Sequence, residues 1–110
     1  MDVEARLREL SRSPDLSPFG EIVEPLLAYD RERRSDLIRT LRVYFASGAN
    51  VSEAADRLFL HRNSMLYRLA RVEKLTGLDL KDPRARLALQ LGILFVGRHE
   101  RRAEDEVEHP

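Results

Sequence analysis

The chain has 110 residues, of which 43% are apolar, 35% charged and only 6% aromatic. This composition favours one small all-α domain with flanking arms over a β-sandwich. Its 19 basic and 19 acidic residues balance to a formal net charge of zero, so the overall charge gives no sign of a nucleic-acid partner. The absence of cysteine excludes disulfides and thiolate metal sites. No apolar run approaches the roughly 20 residues of a membrane span, and the acidic start lacks the apolar core of a signal peptide. We therefore expect a cytoplasmic protein with no membrane partner.

The N-terminal third is predicted to contain short helical pieces separated by breaks. Apolar residues at helical spacing predict a helix over Asp2–Leu10, and the prolines and serines of Ser11–Pro18 interrupt it. Ser17 followed by proline is a typical N-cap and first helical residue. Pro25 predicts a kink or a restart. The run Arg31–Arg34 is interpreted as a charged connector.

An amphipathic helix is predicted over Asp36–Ser47, with Ser35 as its N-cap and Gly48 as its stop. Its apolar positions recur at the spacing of one helical face. They are Leu37, Ile38, Leu41, Tyr44 and Phe45.

The stretch from Asn50 to Gly77 predicts two helices joined by a tight turn. Asn50 is the expected N-cap of the first helix, with Glu53 completing a capping box. The first helix has one small apolar face, formed by Val51, Ala54, Ala55 and Leu58. After a turn around residues 59–61, the second helix has the apolar stripe Met65, Leu66, Leu69 and Val72. A short helix with an alanine pair allows a second helix to cross it closely, which is how a helix-turn-helix is built.

The last predicted helix covers Arg84–Val96 and begins after an Asp82-Pro83 start signal. It is apolar on more than one face, so it is either buried or partly a dimer surface. The residues concerned are Leu87, Ala88, Leu91, Ile93, Leu94 and Phe95. From Gly97 onward the chain is charged and is expected to form a disordered tail.

Positive charge concentrates on the second helix of the predicted pair. Residues 61–76 contain four basic residues against one acid, whereas residues 97–110 contain three against five. At 100° per residue the polar side chains fall opposite the apolar stripe. Together with the start of the preceding helix, they give these candidate DNA-binding residues: Ser52, His61, Arg62, Asn63, Ser64, Tyr67, Arg68, Arg71 and Lys74.

These residue types suit the two kinds of DNA contact. Asn63, Ser64, Tyr67 and Arg68 lie near the helix N-terminus, where side chains reach bases and adjacent phosphates, since Asn can pair with adenine and Arg with guanine. Further along the helix, Arg71 and Lys74 are expected to meet backbone phosphates. Ser52 can donate to a phosphate from the start of the first helix.

Two of the candidates have structural interpretations as well. His61 either caps the second helix or contacts phosphate. Arg62 points toward the apolar side and either pairs with Glu53 or Asp56 or contacts DNA.

Enzymatic chemistry finds little basis in the sequence. Of the histidines, His99 and His109 lie in the predicted tail. No metal-ligand spacing and no Gly-rich phosphate loop occurs, and the carboxylates are scattered over predicted helix surfaces. We expect no enzyme activity, no metal and no cofactor.

Several motifs resemble a known family. They are Leu41-Arg-Val-Tyr-Phe45, the run from Asn50 to Leu69 with its His-Arg-Asn-Ser segment, Leu75-Thr-Gly-Leu-Asp-Leu80, Asp82-Pro83 and Arg86-Leu-Ala-Leu-Gln90. They are similar to the C-terminal helix-turn-helix domain of PucR/CdaR-type bacterial transcription regulators over roughly Leu26 to Val96. The part around the alanine pair also resembles Fis-type helix-turn-helices. Ser64 stands where the family often has Thr, which keeps the hydroxyl.

The resemblance implies a small all-α, Fis-like bundle that binds double-stranded DNA. It implies a regulator, often an activator, of catabolic genes, usually longer and with an N-terminal sensory region that binds an effector. The chain is then expected to be a C-terminal piece, with residues 1–34 a helical extension or linker remnant, 35–98 the DNA-binding domain and 99–110 a tail. A homodimer is expected because operators usually consist of two half-sites. The alternative is a helical interaction or dimerisation module without DNA contact, which the neutral net charge favours.

Overall fold

The computed structural model describes residues 3–5 and 16–108, with side chains up to residue 98. Five helices follow one another within residues 16–108, and these described residues contain no strand. The helices are α1 (Ser17–Arg33), α2 (Leu37–Ala46), α3 (Val51–Arg57), α4 (Arg62–Thr76) and α5 (Pro83–Glu108). The predicted all-α bundle is therefore confirmed. Of the predicted helix Asp2–Leu10, residues 3–5 are helical and the remainder lies outside the described residues.

Helix α1 is continuous where the sequence predicted breaks. Pro25 lies inside it, and the predicted connector Arg31–Arg34 is its last turn, with Arg34 ending the helix in a left-handed conformation at φ 51°. The predicted restart was wrong because proline removes only one helical hydrogen bond, whereas Val23 and Leu26 on either side are fully buried in the core. Ser17 is the first helical residue rather than the N-cap. The division of the chain at residue 34 stays a prediction, although α1 supplies core residues.

Helices α1 and α5 pack together through two glycines. A Cβ atom added at Gly92 would lie 2.4 Å from the carbonyl oxygen of Phe19, and one added at Gly20 would lie 2.5 Å from Cδ1 of Phe95. Each glycine thus meets the opposite helix with no space for a larger side chain. The apolar sequence of α5 is explained largely by this contact with α1.

Helix α5 is longer than predicted, and several of its apolar residues are buried. It continues to Glu108, beyond the predicted end at Val96 and through the segment expected to be a disordered tail. Leu89, Ile93 and Val96 lie in the core, whereas Leu87 is 52% exposed. The predicted dimer surface over residues 87–96 is therefore mostly occupied by α1, with Leu87 left outside.

The start of α2 is capped by a residue of α1. The backbone N–H groups of Leu37 and Ile38 donate to the two carboxylate oxygens of Asp30, at 2.8 and 3.1 Å. The predicted cap, Ser35, instead donates its own hydroxyl to Asp30 at 2.5 Å. The predicted apolar face of α2 is confirmed: Leu37, Ile38, Leu41 and Tyr44 are buried and Phe45 packs partly buried against the core.

Candidate nucleic-acid interface

The short helix α3 forms as the sequence predicts. Oδ1 of Asn50 accepts the backbone N–H of Glu53 at 2.9 Å, so Asn50 caps the helix. The Glu53 side chain does not complete a capping box; its carboxylate accepts from Arg57 at 2.9 Å. Ala54 and Ala55 are 0% and 1% exposed, and α4 packs against this helix. Two methyl side chains at this contact let the second helix approach closely.

The turn between α3 and α4 places an aromatic side chain in solvent. Phe59 has a φ of 55° and is 95% exposed. The next residue, Leu60, donates its N–H to the carbonyl of Ala55 at 2.9 Å, which closes the turn. The sequence placed Phe59 in the turn but gave no signal that its ring would be outside.

Helix α4 is capped at both ends by predicted residues. Nδ1 of His61 accepts the backbone N–H of Asn63 at 3.1 Å, which confirms the cap role weighed for this histidine. At the other end, Gly77 adopts φ 72° and donates its N–H to the carbonyl of Glu73 at 2.8 Å. A left-handed glycine is the common end of a helix, so the bounds of α4 follow from local sequence.

The buried side of α4 is narrower than predicted. Met65, Leu69 and Val72 are at most 6% exposed, but Leu66, which was assigned to the same stripe, is 39% exposed. At 100° per residue Leu66 lies a full 100° from Met65, outside the arc that the other helices cover. Because the prediction counted Leu66 as buried, it placed the centre of the buried side of α4 too close to Leu66.

The same shift placed Arg68 on the predicted exposed side of α4, where it was expected to contact bases. On the wheel Arg68 lies about 60° from Met65, toward the buried side. Its guanidinium donates to the Asp36 carboxylate and, at 3.1 Å, to the hydroxyl of Thr40, and the side chain is 29% exposed. Thr40 is itself fully buried. Arg68 therefore connects α4 to the start of α2.

The outer face of α4 carries most of the other candidates. Asn63, Tyr67 and Lys74 lie within about 40° of the direction opposite Met65, and all three are exposed, Tyr67 to 62%. Ser64 is exposed beside them, and Arg62 is exposed at the first position. Glu53, one of the two predicted partners of Arg62, pairs with Arg57 instead. Ser52 is exposed near the start of α3.

Arg71 lies between two tyrosine rings on different helices. Its Nη2 donates to the hydroxyl of Tyr67 at 2.7 Å, and its Cζ lies 5.4 Å from the centroid of that ring. The same Cζ lies 5.8 Å from the ring centroid of Tyr29 on α1. The hydrogen bond with Tyr67, followed by the charge interactions with Tyr67 and Tyr29, raises the pKa of Arg71 above its ordinary value. These contacts hold the guanidinium at the edge of α4.

An open groove runs beside these residues. It has a volume of about 800 Å³ and lies between the end of α1, the start of α2 and the first turns of α4. Its lining includes Asn63, Ser64 and Tyr67 together with the cations Arg34 and Arg71. In the part of the chain whose side chains the structure describes, no group of His, Asp or Glu residues could hold a metal ion. No helix in the same part of the chain is long and apolar enough to cross a membrane.

These features define a class of domain. A short capped helix, a tight turn and a second helix with one buried and one polar exposed side, supported by further helices, form a helix-turn-helix domain. The model of the PucR C-terminal helix-turn-helix domain matches residues 37–95, which is more than half of the chain. The chain belongs to this family, as the sequence motifs predicted.

Curated relatives come from the same group of regulators. The purine catabolism regulatory protein of Bacillus subtilis is 38% identical over 79 residues, 72% of this chain and 15% of that protein. The proline-responsive transcriptional activator PutR of B. subtilis is 34% identical over 64% of this chain and 17% of its own length. The DNA-binding transcriptional activator AdeR of B. subtilis is 32% identical over 68% of this chain and 18% of its length. The chain thus matches less than a fifth of each of these relatives. No solved structure matches it.

Proposed function

We propose that this domain binds double-stranded DNA sequence-specifically, with α4 in the major groove, as the output domain of a bacterial transcription regulator. The observation that carries the proposal is the polar outer face of α4, where Asn63, Tyr67 and Lys74 are exposed on a helix whose opposite side is fixed in the core. A major groove about 12 Å wide accepts one α-helix with its side chains. A helix anchored on one side and polar on the other has the form that such a groove requires.

The candidate residues divide by position. Asn63, Ser64 and Tyr67 lie in the first turns of α4 and are proposed to contact bases and adjacent phosphates. Arg71 and Lys74, further along, are proposed to contact phosphates, with Ser52 donating from α3. His61 and Arg62, exposed at the start of α4, can add phosphate contacts. Arg68 is proposed to hold α4 against α2, since its guanidinium is already paired with Asp36.

The relatives support this proposal by their names. AdeR is a DNA-binding transcriptional activator, PutR a proline-responsive one, and the third relative regulates purine catabolism. Transcription regulation is therefore proposed for this chain as well, in the cytoplasm and without catalysis. An effector is proposed to bind a sensory region outside these residues.

A homodimer is proposed because helix-turn-helix operators usually contain two half-sites about one helical turn apart. Sedimentation of the protein with a palindromic site should then show two chains per duplex. One chain on a single half-site, with no second binding event, would exclude the dimer and leave the DNA contact standing.

The DNA proposal is tested by fluorescence anisotropy with the promoter region next to the gene and a scrambled duplex of equal length. We expect tighter binding to the promoter and a steep fall in affinity with salt, because log K decreases by about 0.9 per tenfold increase in salt for each phosphate neutralised. Equal affinity for both duplexes, with a flat salt response, would favour the alternative of an interaction module without DNA contact.

A further inference from the structure

Tyr29 touches the proposed DNA-binding face from a helix outside the residues that the family model matches. It lies on α1, five residues before Arg34 ends the helix, whereas the family match begins at residue 37. Its ring lies 5.8 Å from Cζ of Arg71, within the distance at which a cation is attracted to an aromatic face. Tyr29 also lines the groove that contains Asn63 and Tyr67.

The turn of α1 that carries Tyr29 is fixed by the next residue. Asp30, the next residue, accepts the N–H groups of Leu37 and Ile38 with both carboxylate oxygens. This turn of α1 is therefore tied to the start of α2, which is itself joined to α4 through Asp36 and Arg68. The backbone at Tyr29 is therefore tied to two other helices, and the Tyr29 side chain packs partly buried against the core.

The side chain of Arg71 needs neighbouring contacts if its guanidinium is to occupy one position before binding. An arginine side chain has several rotatable bonds, and ordering it on binding costs entropy. Tyr67 alone would be a mobile support, since it is 62% exposed and lies on the same helix. With Tyr29 on its other side, the guanidinium is ordered before any ligand arrives.

We propose that Tyr29 is a positioning residue for DNA binding, which holds the guanidinium of Arg71 in the orientation that contacts a DNA phosphate. The inference rests on the proposed function of α4. It adds a residue of α1 to the determinants of affinity, and it makes DNA binding depend on how the last turn of α1 is packed.

The test compares Tyr29→Leu with Tyr29→Phe in anisotropy titrations on the promoter duplex. Leucine keeps the apolar bulk but removes the aromatic face, whereas phenylalanine keeps the face. A cation–π contact at an exposed site is worth a factor of about two to five in affinity. We expect Tyr29→Leu to weaken binding by about that factor and Tyr29→Phe to bind as the wild type does.

Measuring Tyr29→Leu in the Arg71→Ala variant separates the positioning of Arg71 from a general effect on stability. In the Arg71→Ala variant, Tyr29→Leu should have no further effect on affinity, because the group that Tyr29 orients is gone. An equal loss in both backgrounds would overturn the proposal, as would unchanged affinity of Tyr29→Leu in the wild-type background. Thermal midpoints of all variants are measured alongside.

Arg71→Lys tests the same contact if Tyr29→Leu does not fold. Lysine keeps the charge but lacks the planar guanidinium that stacks on aromatic rings, so weaker binding than that of the wild type is expected, and wild-type affinity would overturn the proposal. Failure of the wild-type chain to prefer the promoter would overturn the function and this inference together. A wild-type preference combined with an unaffected Tyr29→Leu would overturn the inference alone.

Discussion

Replacing Gly92 by alanine should separate α1 from α5. The new Cβ would lie 2.4 Å from the carbonyl oxygen of Phe19 and 2.8 Å from Cγ1 of Val23. Since one of these atoms is backbone, the helices themselves must move apart by about 1 Å to reach ordinary van der Waals distance. Val23 is fully buried, so the movement would loosen core contacts along the whole crossing.

The expected magnitude is a balance of two effects. Overpacking of a core typically costs about 1 to 3 kcal/mol, and alanine recovers up to about 1 kcal/mol through its higher helix propensity. We expect Gly92→Ala to lower the free energy of unfolding by about 1 to 2 kcal/mol. For a domain of this size that lowers Tm by about 4 to 16 °C, which circular dichroism at 222 nm would detect.

Gly97→Ala is the matched control on the same helix. A Cβ there would meet only Nη2 of Arg42, at 3.5 Å, an ordinary contact. This variant should be as stable as the wild type or more stable by up to about 1 kcal/mol. If Gly92→Ala matched Gly97→Ala in Tm, the close crossing of α1 and α5 would be refuted.

Three further stability predictions can be measured by urea denaturation. Asp30→Ala removes the cap of α2 and should cost about 1 to 2 kcal/mol; a neutral result would show that Asp30 is not the cap. Phe59→Gly should stabilise the fold by up to about 1.5 kcal/mol, because relief of the strain at positive φ, about 1 to 2 kcal/mol, exceeds the entropy that glycine adds to the unfolded chain, about 0.4 to 1 kcal/mol, and the exposed ring makes little contact to lose; destabilisation would contradict this. A double-mutant cycle with Arg68→Ala and Asp36→Ala should give a coupling of about 0.5 to 1 kcal/mol, and strict additivity would exclude the tie between α2 and α4.

Local signals predicted the parts of the fold that depend on neighbouring residues. Asn50, His61 and Gly77 lie at helix ends and act there through backbone groups two to four residues away. The alanine pair of α3 was predicted to be buried, and it is. Such features can be found from sequence because the interacting groups are close in the chain and the residue types are restricted by conformation.

The errors concern contacts between helices. Asp30 displaced Ser35 as the cap of α2 because its carboxylate reaches the α2 amides from seven and eight residues away. Arg68 pairs with Asp36, 32 residues distant, and no periodic pattern indicates such a partner. Leu66 was counted as buried because helical periodicity shows which residues are apolar but not how wide an arc the other helices cover.

The candidate site likewise contains residues that the sequence predicted and one that it did not. The exposed polar residues of α4 could be chosen from periodicity alone, and the structure brings Asn63, Ser64 and Tyr67 to one groove. The contribution of Tyr29 could not be chosen in this way, since it lies 42 positions before Arg71 and its contact arises only when α1 packs on α4.

If the outer face of α4 contacts bases, as we propose, the loss of the Asn63 side chain should change which bases are preferred. Alanine at this exposed helical position should not destabilise the fold, because its helix propensity exceeds that of asparagine. The measurement is a selection of bound duplexes from a random pool, followed by titration of the selected site. It compares the wild type with Asn63→Ala and with Arg84→Ala, which removes an exposed cation from the start of α5.

We expect that Asn63→Ala loses its preference at one base-pair position and binds the selected site about 5- to 150-fold more weakly, corresponding to about 1 to 3 kcal/mol, while Arg84→Ala keeps the wild-type preference. Wild-type affinity and an unchanged selected sequence for Asn63→Ala would contradict the assignment of α4 as the helix that recognises DNA.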